Sequence, residues 1–303
     1  MTTQDLDAHL IHGRRQRPDG PAPVDILSVQ SQLVYGHAGN SAAVPPLRQL
    51  GLRVAELPTT LLSNAPFYPT TRGRVLPADW FADLLRGTRE RGVHRRARVL
   101  ISGYLGSVAN GLAFADWLDA VLPEAPQLRF CLDPVIGDTH TGPYVEPALE
   151  AVFRDRLLRH AWMLTPNAFE LARLSGRPAA GEREAIAAAR QLLAQGPAWV
   201  VTHSVRGEAG QLLTLAVGAD ACWKIATPEL PIDVAGTGDV LTALLVAFTL
   251  QGETLPHAME RAVAGVHAML ESTLAAGHEE LDITVAATAA SRPGPPRFPA
   301  VVA

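Results

Sequence analysis

The sequence is almost without lysine. Among 26 basic residues only Lys224 is a lysine; the rest are arginine. It lies in Cys222-Trp223-Lys224-Ile225, which excludes the G-x-x-x-x-G-K-[ST] phosphate loop. A cofactor held as a lysine Schiff base would have this single candidate. Cysteine is scarce as well. Cys131 and Cys222 sit in apolar runs with no metal-ligand spacing, so buried free thiols in a reducing compartment are expected. No run approaches the ~18 apolar residues of a membrane span. The basic excess of a nucleic-acid binder is missing, since the formal net charge is −4. Residues 1–23 mix Asp5, Asp7 and Asp19 with Arg14, Arg15 and Arg17 and hold no apolar core, unlike a secretory leader. A hydrophobic stretch of the twin-arginine kind does not follow the arginine pair. These absences lead to the expectation of a cytoplasmic protein with neither membrane nor nucleic acid as partner.

What is present reads as a folded α/β chain. Its 303 residues are 48% hydrophobic and 18% charged, in the globular range. Short apolar runs at residues 25–31, 54–62, 99–102, 128–132, 162–164 and 198–202 read as strands. Helical patterns at 38–50, 77–91, 107–121, 147–160, 168–175 and 182–195 alternate with them. A β-hairpin is expected over 211–217 and 221–225, followed by strongly apolar helices at 237–250 and 257–274. Such alternation predicts a mostly parallel central sheet with helices on both faces. One domain over residues 24–290 is expected. The flanks, 1–23 and 291–303, hold seven of the 24 prolines and read as disordered tails. In this architecture ligands bind beyond the carboxyl ends of the strands, so chemistry is sought just after each one.

The most informative such place is Gly236-Thr237-Gly238-Asp239, which runs directly into a helix apolar nearly all round. Glycines let the backbone aim N–H groups at an anion at the helix start. Asp239, in the first turn, could accept a proton from a hydroxyl while the turn stabilises a moving phosphoryl group. The plain alternative is a glycine turn with an aspartate cap. After another strand comes Asp133-Pro134-Val135-Ile136-Gly137-Asp138, where Asp133 and Asp138 could orient phosphates or a metal-bound water, or merely form an acidic turn. A third strand leads into Thr165-Pro166-Asn167-Ala168-Phe169-Glu170. Here Asn167 and Glu170 have the spacing of a capping box, and equally of oxygen ligands holding waters around Mg²⁺.

Gly236-Thr237-Gly238-Asp239 with Asn167-x-x-Glu170 upstream resembles the ribokinase superfamily. The run from Ser28 to Asn40 (SVQSQLVYGHAGN) is similar to the first strand and loop of pyridoxal kinases. So are Ser63-Asn64, Ser102-Gly103-Tyr104, Asp133-Pro134-Val135-x-Gly137-Asp138 and Thr165-Pro166-Asn167. The resemblance spans about residues 25–281. It implies a ribokinase-like domain that transfers phosphate from ATP to the 5′-hydroxymethyl group of pyridoxal, pyridoxine or pyridoxamine. It implies Asp239 as base and Gly236, Thr237 and Gly238 as the anion hole. Ser31, Phe67 and Tyr104 would lie on the vitamer side. Asp133, Tyr144, Thr165, Thr202 and Thr237 would lie on the ATP side, and Asp133, Asp138, Asn167 and Glu170 around Mg²⁺. A lid over the substrate from strand 54–62 and its following loop, a monovalent cation such as K⁺ and a homodimer are also implied.

Two positions depart from the family pattern. Ala65-Pro66-Phe67-Tyr68 stands where relatives often place His or Thr, and a phenylalanine shields a ring without hydrogen-bonding it. His203 replaces a small residue and reads most simply as structural or solvent-facing. A hydroxymethylpyrimidine kinase is the alternative reading, although many of those enzymes carry Cys where Asp239 stands. A sugar kinase is weaker, because the first loop has few acids. A non-catalytic vitamin B6 carrier would retain the fold without the chemistry.

Overall fold

A computed structural model describes residues 23–303; the tail expected over residues 1–23 lies, but for Pro23, outside the described residues. The strands are β1 (Ile26–Leu33), β2 (Val54–Leu62), β3 (Gly73–Val75), β4 (Val99–Ser102), β5 (Arg129–Leu132), β6 (Gly137–Asp138), β7 (Gly142–Pro143), β8 (Met163–Leu164), β9 (Trp199–Arg206), β10 (Gln211–Val217), β11 (Cys222–Pro228) and β12 (Val301–Val302). The helices are α1 (Asn40–Gln49), α2 (Ala78–Glu90), α3 (Val93–Arg96), α4 (Val108–Val121), α5 (Pro147–Val152), α6 (Ala168–Ser175), α7 (Glu182–Leu193), α8 (Thr237–Leu250), α9 (Leu255–Ala276) and α10 (Ile283–Ala290). Among the described residues one sheet runs β12-β11-β10-β9-β8-β5-β4-β1-β2-β3. From β9 through β2 it is parallel, and β3, β10, β11 and β12 pair antiparallel at its two ends.

The sheet is buried on both faces, and its side chains divide by the two-residue period of a strand. Leu27, Leu100, Phe130, Leu164 and Val200 face one core, which α2, α4, α6 and α7 cover. Ile26, Ile101, Cys131, Met163 and Val201 face the other, covered by α1, α8, α9 and α10. α8 lies deep in this second core, with every residue from Val240 to Phe248 buried. Burying a large apolar side chain contributes about 1.5–3 kcal/mol. The helix start is therefore anchored by hydrophobic burial of everything that follows it. Both cysteines are buried free thiols.

Three local expectations are corrected. Residues 291–303 are not a loose tail. Arg297 pairs with Glu271, Phe298 packs on the second core, and β12 extends the sheet along β11. The prolines suppress helix, but an extended segment with one aromatic anchor still docks. The helix expected over 147–160 is α only to Val152; it continues as a π turn, Phe153–Leu157, and a 3₁₀ turn, Leu158–His160. This winding buries Phe153, Leu157 and Leu158 together. Helix α1 starts at Asn40 rather than residue 38, because Gly39 has a φ of 56° that no helix accepts. α10, β3 and the β6–β7 hairpin lack a clear periodic signal in the sequence.

Candidate active site

The start of α8 builds the site. Gly236 caps the helix in the left-handed region, at φ 91°, where a side chain is strained. A Cβ there would also stand 2.3 Å from the His37 carbonyl oxygen. The first amides of a helix lack intrahelical acceptors, so Thr237 and Gly238 open a short anion-attracting turn. Asp239 follows in that turn, and Gly39 N–H donates to its Oδ2 at 2.8 Å. Burial pushes the Asp239 carboxyl up to about 6, against the lowering pull of that hydrogen bond. A carboxylate so placed is a stronger proton acceptor than an exposed aspartate.

Behind it lies an acid cluster. Asp133 leaves the end of β5 and is 4% exposed. Its pKa is raised by burial first, and then by the charges of Glu170 and Asp239. Thr242, one turn into α8, places Oγ1 3.2 Å from Asp133 Oδ2 and 2.9 Å from Thr165 Oγ1. With one proton and two lone pairs, that hydroxyl can donate to the carboxylate while accepting from the Thr165 hydroxyl. Glu170 and Asn167 form the capping box. Asn167 Oδ1 accepts from Glu170 N–H, and Glu170 Oε2 accepts from Asn167 N–H, each at 2.9 Å. The other oxygen, Oε1, accepts from Ile136 N–H at 2.9 Å. Burial raises the Glu170 pKa strongly although these amides oppose it. Asn167 Nδ2 donates to the Gly137 carbonyl at 2.8 Å, so its amide is engaged at both ends. Asp138 is turned into its own hairpin, accepting from His140 and Thr141 N–H and from the Tyr144 hydroxyl. Among the described residues, no three acidic, His or Cys side chains converge on one ion position.

The remaining residues flank this centre. Thr202 is fully buried on β9, and its hydroxyl has no partner. Next to it, His203 stands with Nε2 3.5 Å from where a Cβ on Gly238 would lie, so its ring borders the anion turn. Burial lowers its pKa to about 4 and keeps it neutral. Ser204 is the one non-glycine residue at positive φ among the described residues, at 57°. Such strain tends to collect at functional sites. Ser31 lies where the β1–β2 register shifts between Gln30 and Gln32, at the carboxyl end of β1. Tyr104 follows β4, and its carbonyl accepts from the Thr59 hydroxyl at 2.6 Å. Phe67 rides on the loop between β2 and β3, 52% exposed, with its ring 4.6 Å from that of Tyr68.

The structure thus groups Asp133, Thr165, Glu170 and Asp239 and sets Gly236, Thr237 and Gly238 beside them. It turns Asp138 and Tyr144 toward each other on the β6–β7 hairpin. Sequence reasoning missed Gly39 and Thr242. Gly39 was legible as part of a glycine loop, and Thr242 as the polar residue one turn after Asp239 on an apolar helix.

A buried helix whose glycine turn presents a carboxylate beside an acid cluster, on a mostly parallel sheet, is the arrangement of a ribokinase-like small-molecule kinase. Comparison with known proteins narrows the class. The phosphomethylpyrimidine kinase family matches residues 104–284. The chain is 41% identical to a pyridoxine/pyridoxal/pyridoxamine kinase of Bordetella pertussis over 264 residues, covering 86% of this chain and 93% of that protein. It is 39% identical to the pyridoxal kinase PdxY of Rubrobacter xylanophilus, covering 91% and 96% respectively. Its fold matches pyridoxal kinase from Leishmania donovani in complex with ADP and pyridoxamine. The TM-score is 0.84 at 26% identity, over 92% of this chain and 98% of that one. The chain belongs to the pyridoxal kinase family.

Proposed function

We propose that this protein transfers the γ-phosphoryl group of ATP to the 5′-hydroxymethyl group of a B6 vitamer: pyridoxal, pyridoxine or pyridoxamine. The observation that carries the reading is Asp239, held by Gly39 N–H at the start of a buried helix with its pKa raised to about 6. Asp239 accepts the hydroxyl proton as the oxygen attacks phosphorus. The Gly236, Thr237 and Gly238 turn receives the charge that develops on the transferring group. Ser31 and Tyr104 orient the pyridine ring in this reading, and Phe67 covers it to keep competing water away. Tyr144, Thr165 and Thr202 lie on the nucleotide side, where the unpartnered Thr202 hydroxyl is a ready contact.

The donor set fits Mg²⁺. Asp133 and Glu170 are buried carboxylates whose charges repel one another and Asp239. A hard cation that keeps several of its waters relieves that repulsion without three direct protein ligands. Asp133 and Glu170 would hold such a hydrated ion, with Asn167 and Asp138 fixing the surrounding backbone; the ion supplies charge neutralisation on the phosphates. Activation by a monovalent cation such as K⁺, a homodimer and a cytoplasmic setting belong to the same proposal. Among the described residues, no helix is long and apolar enough to cross a membrane.

The match to the phosphomethylpyrimidine kinase family favours one second reading, phosphorylation of hydroxymethylpyrimidine, whose primary alcohol Asp239 would serve equally. A coupled ADP-release assay across pyridoxal, pyridoxine, pyridoxamine and hydroxymethylpyrimidine separates the two. Turnover of any B6 vitamer at higher kcat/KM than the pyrimidine is expected. The reverse preference would install the second reading, and vitamer binding without ATP consumption would make the protein a carrier.

A further inference from the structure

We infer that Glu280 is a positioning residue, which ties the lid loop to the loop that holds Asp239. This rests on the kinase reading above for its meaning, but the contacts stand on their own. Glu280 follows α9 by a few residues and is only 14% exposed along its side chain. One carboxylate oxygen, Oε2, accepts from His37 N–H at 2.9 Å. The other, Oε1, accepts from the Tyr68 hydroxyl at 2.9 Å. These partners lie 243 and 212 residues away in the chain. One belongs to the loop between β1 and α1, and the other to the loop between β2 and β3.

Each arm reaches part of the proposed chemistry. His37 is gripped on both sides: its N–H by Glu280, and its carbonyl packed so closely on Gly236 that a Cβ there would lie 2.3 Å away. Two residues on, Gly39 N–H holds Asp239. Glu280 therefore fixes the short segment 37–39 that contacts both the anion turn and the base. The Tyr68 arm fixes the ring next to Phe67. Burial and the neighbouring Glu280 carboxylate raise the Tyr68 pKa, so its hydroxyl keeps the proton it donates.

Two further features show that the latch is built in. Gly36 has a φ of 88°, and a Cβ there would lie 2.4 Å from Glu280 Oε1, so glycine admits the carboxylate. The Glu280 loop is pinned to α9 and the start of α10. Asp282 N–H donates to Thr273 Oγ1 at 2.9 Å, and the Asp282 carboxylate accepts from Ser272 and Thr284 hydroxyls at 2.6 and 2.7 Å. The two loops also meet directly, through Tyr35 N–H donating to the Ser63 carbonyl at 2.9 Å and the Tyr35 ring 6.0 Å from that of Tyr68; the Glu280 carboxylate adds charge-assisted hydrogen bonds to both. Closing the lid and setting the base thus become one event.

The test combines hydrogen exchange with kinetics on the full-length protein, using wild type, Glu280→Ala, Glu280→Gln and Tyr68→Phe. Glu280→Ala should speed amide exchange in both loops, at residues 36–39 and 63–72, by roughly tenfold. In kinetics it should raise the pyridoxal KM roughly tenfold, lower kcat, and release more ADP than pyridoxal phosphate formed. The ATP KM should move by less than about threefold. Glu280→Gln, which keeps an acceptor for His37 and a partner for Tyr68, should recover most of both effects. Tyr68→Phe should loosen only 63–72 and raise the pyridoxal KM and the ADP excess. Unchanged exchange at both loops in Glu280→Ala would overturn the latch even if the wild type proved inactive on every vitamer. So would a Gln variant as impaired as Ala. Should Glu280→Ala fail to fold, Tyr68→Phe decides: exchange at 63–72 equal to wild type refutes the tie.

Discussion

Asp133, Thr165, Glu170 and Asp239 are held by strand ends and helix starts inside the fold, whereas Phe67 and Tyr68 ride on the loop that joins β2 to the edge strand β3. The first group is fixed locally. Each residue follows a buried strand or opens a helix, and α8 is packed on all sides. Its electrostatics are harsh: burial raises the pKa of Asp133, Glu170 and Asp239, and the neighbouring carboxylates raise it further at Asp133 and Glu170. The second group is half-exposed and held from a distance by Glu280. The difference teaches that phosphoryl transfer and substrate enclosure ask for different physics. A base needs a fixed, desolvated position, and a lid needs a weak hold that can open. Experiments that shift one group while sparing the other can break this division.

The largest effect is expected at Asp239, the proposed base. Asp239→Asn keeps an oxygen to accept from Gly39 N–H but removes the proton acceptor. It should lower kcat by roughly 10³-fold, within the usual range for general-base removal. Binding of ADP and pyridoxal, followed by calorimetry, should change by less than about threefold. A variant that retains a tenth of wild-type kcat would show that Asp239 is a cap with another group as base.

How much of this was legible in the sequence follows the same division. Asp239, Asp133, Asn167 and Glu170 were visible because chemistry and local structure coincide there. A glycine turn entering an apolar helix, or a capping-box spacing after a strand, is written within six residues. The strand and helix pattern was equally local, so the sheet from β2 to β11 could be read, though not its two edge strands β3 and β12. Glu280 could not be read, since its two partners approach only through the tertiary fold. Thr242 carries a local signal, a polar residue one turn after Asp239 on an apolar helix, but its partners Asp133 and Thr165 come from distant strand ends. The docking of residues 291–303 was hidden for a related reason. Proline content reports on local helix propensity, and says nothing of whether Phe298 finds the groove beside His267.

The acid group should also leave a mark on stability, with a sign opposite to its catalytic value. Asp239 has its pKa raised from 3.8 to about 6 on folding. The folded state therefore favours the protonated form. Its stabilising contribution is complete below the unfolded value and is lost as pH rises through the folded one. At pH 8 the ionised group costs the free protein at most about 2–3 kcal/mol. Without nucleotide or metal, Asp239→Asn should then melt a few degrees higher than wild type at pH 8, and the gain should fade toward pH 4. Wild-type kcat/KM should fall about tenfold per unit below pH 6, as the base takes up its proton. Thermal shift and a pH–rate profile check both. A destabilised Asp239→Asn at pH 8 would mean that Gly39 needs the charge more than burial opposes it.

The smallest effect is expected on the proposed lid, at Phe67. Its ring touches Tyr68, but half of its surface is open, so it contributes little to the free protein. Phe67→Leu keeps an apolar cover and removes the flat face that can stack on a pyridine ring. Aromatic pairing of this kind contributes about 0.5–1.5 kcal/mol beyond burial. The pyridoxal KM should rise about threefold, with most of the change in kcat/KM arising there. Because Tyr68 still reaches Glu280 in this variant, the ratio of ADP to phosphorylated product should stay near one, unlike in Glu280→Ala. Measuring both ratios side by side separates what the lid touches from what holds it. If Phe67→Leu leaked ATP as strongly as Glu280→Ala, the ring itself would be the seal, and the two loops would act as one part with the acid group.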